Sequence, residues 1–430
     1  MNFNYVQEKL SNYDSQIDSI NLVPATFDNT NQIGQGTFGK VYKSSYYTKN
    51  NELKTVAIKK ISMSSQDEGL PLTAVREISI LKSYHHPNLV ELLDIVIAPV
   101  KSPNFRGHVD LVFEYMEHDI NALVESKIQF TAGQIKNIMR QILSGIAYLH
   151  SNNIIHRDIK SANILLNNKG VVKLGDFGLA RTISPIVQRN KLYSGNVVTI
   201  WYRPPELLLG MKNYDLKVDM WSIGCVFAEL LMGEPIFKGN NEKEQIEQIF
   251  KICGSPNEMT WHGVVFLPDY DLLTPKNTFD NNLKIYLTSK SSTPIDDITF
   301  DLIQKMLMVN PRERISAEEA LKHEYFSDSH PVKIEEIKRM NKEYHNLRLG
   351  KDAISSNYKF ENNDSERGLK KEEYVSKRYY NKNAVKRGRI VEIKEDPDIQ
   401  YSETNMMNMM NELNDPKLID TLKVLLPPKN

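Results

Sequence analysis

Residues 156–163 form the feature that most constrains what this chain can fold into. They read His-Arg-Asp-Ile-Lys-Ser-Ala-Asn and match the pattern H-R-D-x-x-x-x-N with no departure. In this pattern Asp158 would accept the proton of a substrate hydroxyl, and Asn163 would hold a magnesium ion. Lys160, two residues after Asp158, can reach a transferring phosphoryl group as a point charge. The pattern therefore predicts a loop for phosphoryl transfer, in which His156 has a structural role.

The triplet Asp176-Phe177-Gly178 begins eighteen residues after Asp158. Its aspartate would bind magnesium that bridges the β- and γ-phosphates of a nucleotide. Magnesium fits these residues because it is a hard, octahedral ion that takes carboxylate and amide oxygens. The triplet alone is common by chance, so its order and spacing after the first motif give it weight.

Residues 34–41 are rich in glycine and fit the pattern G-x-G-x-x-G-x-V. A dinucleotide-binding turn has the same glycines, and Gly39-Lys40 makes the segment a near miss to a Walker A loop. Val41 lacks the hydroxyl that a Walker A loop uses for magnesium, and both alternatives need a helix where Val41-Tyr42 continues as strand. The pattern therefore favours a hairpin over ATP, whose glycine amides approach the phosphates without a side-chain clash.

Lys59 ends the segment Val-Ala-Ile-Lys, eighteen residues after Val41. In this context its ammonium would hold the α- and β-phosphates of ATP. Glu77, on a helix predicted over residues 72–81, suits the role of the anion that orients the ammonium. The alternatives are a surface lysine and a solvated helix glutamate.

Composition sets broad limits on the function. The chain has 430 residues, 40% of them apolar, with 54 basic and 54 acidic side chains. This balance gives no reason to expect nucleic acid or a membrane as the main partner. Cys225 and Cys253 make no disulfide framework and are expected to be buried thiols of an intracellular protein. Residues 1–18 do not resemble a signal peptide, and the apolar run 221–232 is too short to span a bilayer.

The residue pattern divides the chain into an extension (1–26), a β-rich lobe (27–115), a helical lobe (116–327) and a polar tail (328–430) that is expected to be largely disordered. The fold class is α+β. Within the lobes, the patterns predict helices at 72–81, 135–149, 221–232, 246–252 and 300–307, and strands at 55–58, 109–115, 164–166 and 172–174.

Two segments of the tail leave alternatives open. The basic residues 377–378 and 386–389 suit a nuclear import signal or a solvated charged segment. Residues 406–422 carry methionines and leucines that could form an amphipathic docking helix.

These motifs, completed by Pro204-Pro205-Glu206, resemble the protein kinase family in order and spacing over about residues 27–327. The resemblance implies the bilobal protein kinase fold, with ATP and Mg²⁺ as cofactors. Asp219 looks like the aspartate that braces the catalytic loop, and Arg314 like the buried partner of Glu206. Phe113 matches the back of the ATP pocket, residues 114–116 the hinge that contacts adenine, and Asp119 the ribose side. The resemblance thus implies an ATP site formed by Ile33, Gly34, Gly36, Gly39, Val41, Ala57, Lys59, Glu77, Phe113, Glu114, Met116, Asp119 and Leu165, with Asn163 and Asp176 as metal ligands.

A subfamily is also recognisable. Residues 71–77, Pro-Leu-Thr-Ala-Val-Arg-Glu, resemble the PSTAIRE-type helix of cyclin-dependent kinases, and residues 197–203 resemble their activation segment. The likeness implies a cyclin partner, and it places Thr199 among the catalytic residues. It also implies Ser/Thr-Pro substrates, because in the family the arginine matching Arg203 holds a carbonyl away from the substrate. A substrate amide there would lack an acceptor, and proline has no amide.

Three arginines, Arg76, Arg157 and Arg181, match those that bind a phosphorylated activation segment in this family. The family's acceptor position is occupied by Ser194, which an activating kinase would modify. Phosphoserine there would join the three arginines by charge-assisted hydrogen bonds. The alternative is an ordinary serine in a solvent-exposed loop.

The finer branch rests on resemblance alone. Phe38 in the glycine loop, Leu72 and Val75 in the helix, and the double proline 204–205 look like the transcriptional branch. That branch phosphorylates the heptad repeats of RNA polymerase II, which implies a nuclear protein. A cell-cycle or signalling cyclin-dependent kinase is the alternative, and a pseudokinase scaffold is disfavoured because each catalytic position is filled.

Overall fold

The computed structural model describes residues 31–36, 39–47, 53–62, 71–97, 108–183 and 200–327. These residues form a β-rich N-terminal lobe and a helical C-terminal lobe, so the predicted bilobal α+β fold is confirmed. The predicted extension (1–26), the whole of the predicted tail (328–430), Phe38, Ser194 and Thr199 lie outside the described residues.

The N-terminal lobe is built on one antiparallel sheet in the order β1-β2-β3-β5-β4. Helix α1 (Leu72–Ser83) follows Pro71, whose fixed φ suits the residue before a helix, and it buries Val75 and Ile78 in the main core. Val56 and Ile58 of β3 pack in a separate cluster with Val96 and Val112. The strands are β1 (Gln32–Gly36), β2 (Gly39–Tyr47), β3 (Leu53–Ser62), β4 (Leu92–Ile97) and β5 (His108–Glu114).

The C-terminal lobe packs around one helix, α5, in which all residues from 218 to 232 are buried. The helix predicted over the apolar run 221–232 is confirmed, and both cysteines are buried as expected. A Cβ on Gly224 would lie 2.8 Å from the Leu307 side chain, so the glycine permits close approach of α5 and α9. The helices of this lobe are α2 (Ile120–Glu125), α3 (Ala132–Ser151), α4 (Pro205–Leu208), α5 (Lys217–Met232), α6 (Glu242–Cys253), α7 (Tyr270–Leu273), α8 (Leu283–Lys290), α9 (Asp297–Met306) and α10 (Ala317–Leu321).

Short strands lie where the lobes meet and carry the residues of the site. They are β6 (His118–Asp119), β7 (Ile154–Ile155), β8 (Ile164–Leu166), β9 (Val172–Leu174) and β10 (Arg181–Thr182), paired as β6-β8-β9 and β7-β10. Leu174 joins this layer to the segment after α1, because its N–H donates to the Asn88 carbonyl and its carbonyl accepts from Val90 N–H. Both strands predicted here, β8 and β9, are confirmed.

The predicted helices are present, and most of them are longer than the apolar pattern indicates. The helix predicted over 135–149 begins at Ala132, where Thr131 and Gln134 form a capping box. Helix α5 begins four residues before the predicted start, and its first turn contains the charged residues Lys217 and Asp219. Among the described helices, none has both the length and the apolar character needed to cross a membrane.

Candidate active site

Lys59 lies at the centre of the candidate site. Its Nζ donates to both carboxylate oxygens of Glu77, at 3.0 and 2.7 Å, and to Asp176 Oδ1 at 3.2 Å. Lys59 is 8% exposed and Glu77 is 2% exposed. Strand β3, helix α1 and the segment after β9 thus bring together three residues that the sequence analysis assigned to one site.

The charges in this cluster support each other. Burial by itself would lower the pKa of Lys59, but the carboxylates of Glu77 and Asp176 outweigh it and raise that pKa above its ordinary value. Burial would likewise raise the pKa of Asp176, and Lys59 reverses the shift and lowers it. Lys59 is therefore a cation, and Asp176 an anion, at neutral pH.

The loop that follows β7 arranges its polar side chains around Asp158. Lys160 Nζ donates to Asp158 Oδ2 at 2.7 Å, and Asn163 Nδ2 donates to the same oxygen at 2.9 Å and to the Asp158 carbonyl at 2.8 Å. Among the described residues, no hydrogen bond engages Asp158 Oδ1. The carboxylate is therefore oriented through one oxygen, and the other is left to accept a proton.

Asp219, in the first turn of α5, binds the backbone of the loop that contains Asp158. Its Oδ2 accepts from the His156 N–H and its Oδ1 from the Arg157 N–H, both at 2.9 Å. His150 Nε2 also lies 2.9 Å from Oδ2. Burial would raise the pKa of Asp219, but these hydrogen bonds outweigh it and lower that pKa. The bracing role predicted for Asp219 is confirmed.

Two non-glycine residues of the site have left-handed backbone conformations. Arg157 has φ 65° and Asp176 has φ 59°. Each such residue costs about 1–3 kcal/mol and persists only when its surroundings hold it in place. Asp219 supplies that restraint for Arg157, whose N–H it binds.

His156 is fully buried, and its contacts suit the structural role predicted for it. Its Nδ1 accepts from Asp158 N–H at 3.3 Å, which leaves Nε2 as the donor to the Gly175 carbonyl at 3.2 Å. Its ring packs against Phe177, with the ring centroids 4.8 Å apart. Burial lowers the pKa of His156, so the ring is neutral at neutral pH.

The residues predicted to bind magnesium fit a hard cation. The Nδ2 of Asn163 donates to Asp158, which leaves Oδ1 as its ligand atom. Gly175 N–H donates to the Asn163 carbonyl at 2.9 Å, and this bond ties the backbone just before Asp176 to Asn163. One amide oxygen and one charged carboxylate are ligands that Mg²⁺ accepts.

Strand pairing brings several predicted nucleotide-binding residues side by side. Ala57 pairs with Phe113, and Leu165 pairs with Asp119. The Asp119 carboxylate also caps α2, since its Oδ1 accepts from Ala122 N–H at 2.7 Å. The predicted residues Ile33, Gly34, Gly36, Gly39, Val41 and Met116 lie on β1, β2 and the link after β5, and Ile33 and Met116 are buried.

Glu114 was predicted to contact the nucleotide, but its side chain is engaged by other residues. Its Oε1 accepts from Glu91 N–H at 2.8 Å and lies 2.7 Å from Lys173 Nζ. Any contact of Glu114 with a nucleotide is therefore expected through its backbone. Gly39 has a different constraint, because a Cβ at that position would overlap with the Lys60 carbonyl oxygen of the neighbouring strand.

The three predicted phosphate-binding arginines lie close together along one segment. Arg76 Nη1 donates to the Gly178 carbonyl at 3.2 Å, and Arg157 Nε donates to the next carbonyl, that of Leu179, at 2.8 Å. Arg181 follows two residues later on β10. The structure therefore brings the three arginines to residues 178–181, whereas Ser194 itself lies outside the described residues.

The sequence analysis missed two supporting residues of the site. His150 binds Asp219, and Tyr214 accepts a hydrogen bond from Arg157 Nη1 at 2.9 Å. His150 is a polar residue at the end of a helix with a strong apolar face, and that position was the signal available. Tyr214 lies in a loop and gives no such signal. The predicted pairing of Arg314 with Glu206 is confirmed, with Nη1 to Oε1 at 2.7 Å.

A family model described as "Protein kinase domain" matches residues 27–326. The chain is 45% identical over 311 residues to "Cyclin-dependent kinase C-2" of Oryza sativa subsp. japonica, which covers 70% of this chain and 59% of that protein. It is 41% identical over 312 residues to "Cyclin-dependent kinase 12" of Caenorhabditis elegans, which covers 71% and 41%. It is also 43% identical over 310 residues to "CTD kinase subunit alpha" of Schizosaccharomyces pombe, which covers 71% and 49%. The matched region spans less than two thirds of each of these relatives.

Proposed function

The chain belongs to the protein kinase family, and on that premise we propose that it is a cyclin-dependent, proline-directed Ser/Thr protein kinase. The predicted resemblance to cyclin-dependent kinases is confirmed by the similarity to two proteins of that name. The observation that carries the proposed activity is the meeting of Lys59, Glu77 and Asp176 at one ammonium. In kinases the lysine–glutamate pair and the Asp-Phe-Gly aspartate must both be in place for transfer.

The reaction proposed is transfer of the γ-phosphoryl group of ATP to a serine or threonine hydroxyl. The hydroxyl oxygen bonds to the γ-phosphorus as the bond from that phosphorus to the β,γ-bridging oxygen breaks, and ADP leaves. Asp158 takes the hydroxyl proton, and Lys160 stabilises the charge on the transferring group. Lys59 positions the α- and β-phosphates. Magnesium, held by Asn163 and Asp176, would neutralise charge on the β- and γ-phosphates when bound.

We propose a cyclin as the partner that seats α1. Glu77 lies on this helix, and its contact with Lys59 depends on the position of the helix relative to β3. A partner that fixes α1 would therefore control activity without touching ATP. The likeness of residues 71–77 to the PSTAIRE-type helix supports this assignment.

Phosphorylation of Ser194 by an activating kinase is proposed as a second control. The new phosphate would pair with Arg76, Arg157 and Arg181, and the contacts of these arginines along residues 178–181 support this assignment. Thr199 is proposed to act with Asp158 and Lys160 in the catalytic site. Replacement of Ser194 by alanine should lower activity in the same cyclin complex.

The proposed substrate is the heptad-repeat tail of the RNA polymerase II largest subunit, and the proposed location is the nucleus. The similarity to a protein named as a CTD kinase subunit supports this choice, as do Phe38 and the double proline 204–205. This is the step that depends most on similarity, so its test must compare substrates directly.

The test uses the complex purified from its native cell, with ATP and two peptides of equal length. One peptide carries heptad repeats and the other carries a generic Ser-Pro site. Strong labelling of the heptad peptide that is lost in Asp158→Asn is the expected result. Labelling of the generic peptide alone would move the protein to a cell-cycle or signalling role. Labelling of neither peptide, with a cyclin present in the complex, would favour a scaffold.

A further inference from the structure

A buried chain of hydrogen bonds connects Ser161, Tyr202 and Glu229. Ser161 Oγ lies 2.9 Å from the Tyr202 hydroxyl, which donates to Glu229 Oε2 at 2.8 Å. The three residues are 1%, 4% and 0% exposed. Along the sequence, 41 residues separate Ser161 from Tyr202, and 27 residues separate Tyr202 from Glu229. The contacts therefore join distant segments through polar side-chain groups.

Ser161 and Tyr202, which are adjacent members of this series of hydrogen bonds, lie in two different functional segments. Ser161 directly follows Lys160 and begins the 3-10 turn Ser161–Asn163, which places Asn163 against Asp158. Tyr202 ends the 3-10 turn Ile200–Tyr202, in the segment that runs from the Asp-Phe-Gly triplet to Pro204-Pro205-Glu206. In kinases this is the activation segment. The hydrogen bonds therefore connect the catalytic loop to the activation segment.

Tyr202 is held from a second side as well. Its carbonyl accepts a hydrogen bond from Ser222 Oγ, of helix α5, at 2.9 Å. Helix α5 also supplies Glu229 and Asp219, so the activation segment and the catalytic loop are both anchored to one buried helix. The Ser161–Tyr202 contact joins the two anchored segments to each other directly.

Glu229 is an unusual residue to bury in this position. Its Oε1 is buried and has no hydrogen-bond partner among the described residues, so stability alone does not favour a carboxylate here. Burial raises its pKa to about 7, while the hydroxyls of Tyr202 and Ser161 act to lower it. The charged groups that act on it are Glu125, which raises the pKa, and Lys238, which lowers it. The buried thiol of Cys225 lies on the same helix.

We propose that Ser161, Tyr202 and Glu229 are positioning residues that hold the catalytic loop in register with the activation segment. This inference rests on the proposed kinase function. An ionised carboxylate accepts a stronger hydrogen bond than a neutral one. Tyr202, and through it Ser161, is therefore held most firmly when Glu229 is charged. These hydrogen bonds affect the placement of the peptide relative to Asp158 and do not affect the binding of ATP.

The test uses the full chain in its native complex and measures kcat for a peptide and KM for ATP. Ser161→Ala and Tyr202→Phe should each lower kcat about tenfold, as expected for loss of one hydrogen bond that orients the reacting groups. The KM for ATP should change less than about twofold. The double variant should fall no further than the more affected single variant, because both changes remove the same contact. Ser291→Ala, which removes a partly buried hydroxyl contact to the Leu231 carbonyl that is not one of these hydrogen bonds, is the control.

The pH profile separates positioning from a general structural role. The kcat of the wild-type complex should rise with pH through about 7, as Glu229 ionises, and Glu229→Gln should remove that limb. Variants with wild-type kcat, or with kcat, ATP affinity and thermal midpoint all lowered together, would overturn the inference. A wild-type complex that labels no peptide would overturn the proposed function itself.

Discussion

Arg314 and Glu206 form a completely buried ion pair, although 108 residues separate them along the chain. Arg314 Nη1 donates to Glu206 Oε1 at 2.7 Å, and Nη2 donates to Oε2 at 2.9 Å. The guanidinium also lies over the Trp221 ring, 5.2 Å from its centroid. The pair anchors α4, at the end of the activation segment, to the loop between α9 and α10.

Replacing Glu206 by glutamine should destabilise the C-terminal lobe strongly. The change leaves the Arg314 guanidinium buried without its countercharge, which costs about 3–5 kcal/mol. The midpoint of thermal unfolding should fall by several degrees. Glu318→Gln is the matched control, because it breaks an exposed pair with Lys322 whose side chains are 76% and 72% exposed. Equal midpoints for the two variants would contradict a stabilising role for the buried pair.

Lys59 and Lys60 are neighbours on β3 with different partners. Lys59 binds Glu77 and Asp176, whereas Lys60 Nζ lies 3.8 Å from Asp110 Oδ2. Lys59→Arg should lower kcat/KM about 100-fold, because the planar guanidinium cannot replace a compact ammonium between two carboxylates. Lys60→Arg keeps its charge at a position that is more exposed than Lys59, and it should change kcat/KM less than about threefold. Similar losses of kcat/KM in both variants would show that disturbance of strand β3, and not loss of the Lys59 ammonium, lowers the activity.

Gly39 and Gly34 differ in the space available to a methyl group. A Cβ at Gly39 would overlap with the backbone of Lys60, whereas a Cβ at Gly34 would lie 3.3 Å from the Val41 side chain, which can shift. Gly39→Ala must displace β2 from β3, at a cost of about 1–3 kcal/mol. Its KM for ATP should therefore rise about tenfold. The rise in the KM for ATP should be smaller for Gly34→Ala. A larger rise than that of Gly39→Ala would contradict the claim that the lack of space at Gly39 is the stronger constraint on the hairpin.

Much of the fold could be predicted because apolar patterns mark the residues that face a core. Strands β8 and β9 were predicted at their observed residues, since each has buried apolar side chains at both ends and the two strands flank a turn. Helix α5 was predicted too short, because Lys217 and Asp219 interrupt the apolar run in its first turn, where Asp219 binds the catalytic loop.

The candidate site was predictable where its residues fall in motifs of fixed spacing. Lys59, Asp158 and Asp176 belong to such motifs, and the structure brings Lys59 and Asp176 into contact. The contacts of Ser161, Tyr202 and Glu229 could not be predicted, because they depend on how separate segments pack in three dimensions. Glu229 stood out only as a charged residue within an apolar run.

Glu229 should make stability depend on pH in a way that glutamine does not. In the unfolded chain this carboxyl ionises around its ordinary value of 4.5, whereas in the folded chain its pKa is about 7. As pH rises through this interval the unfolded chain has already lost the proton that the folded chain still holds, so the free energy of unfolding falls. The total change is on the order of 3 kcal/mol.

The comparison of wild type with Glu229→Gln isolates this group. The thermal midpoint of the glutamine variant should rise relative to wild type between pH 5 and pH 8, because the pH effects of all other groups are shared. A difference between the two proteins that is the same at both pH values would mean that Glu229 does not titrate in this range.

The central claim is that Asp158 promotes transfer of the γ-phosphoryl group of ATP to a peptide hydroxyl. The direct measurement is the rate of peptide labelling from ATP by the native complex, compared between wild type and Asp158→Asn. We predict a rate lower by about 100-fold to 10,000-fold in the variant, with unchanged ATP binding and thermal midpoint, because asparagine cannot take the proton. A variant that labels the peptide at the wild-type rate would contradict the account.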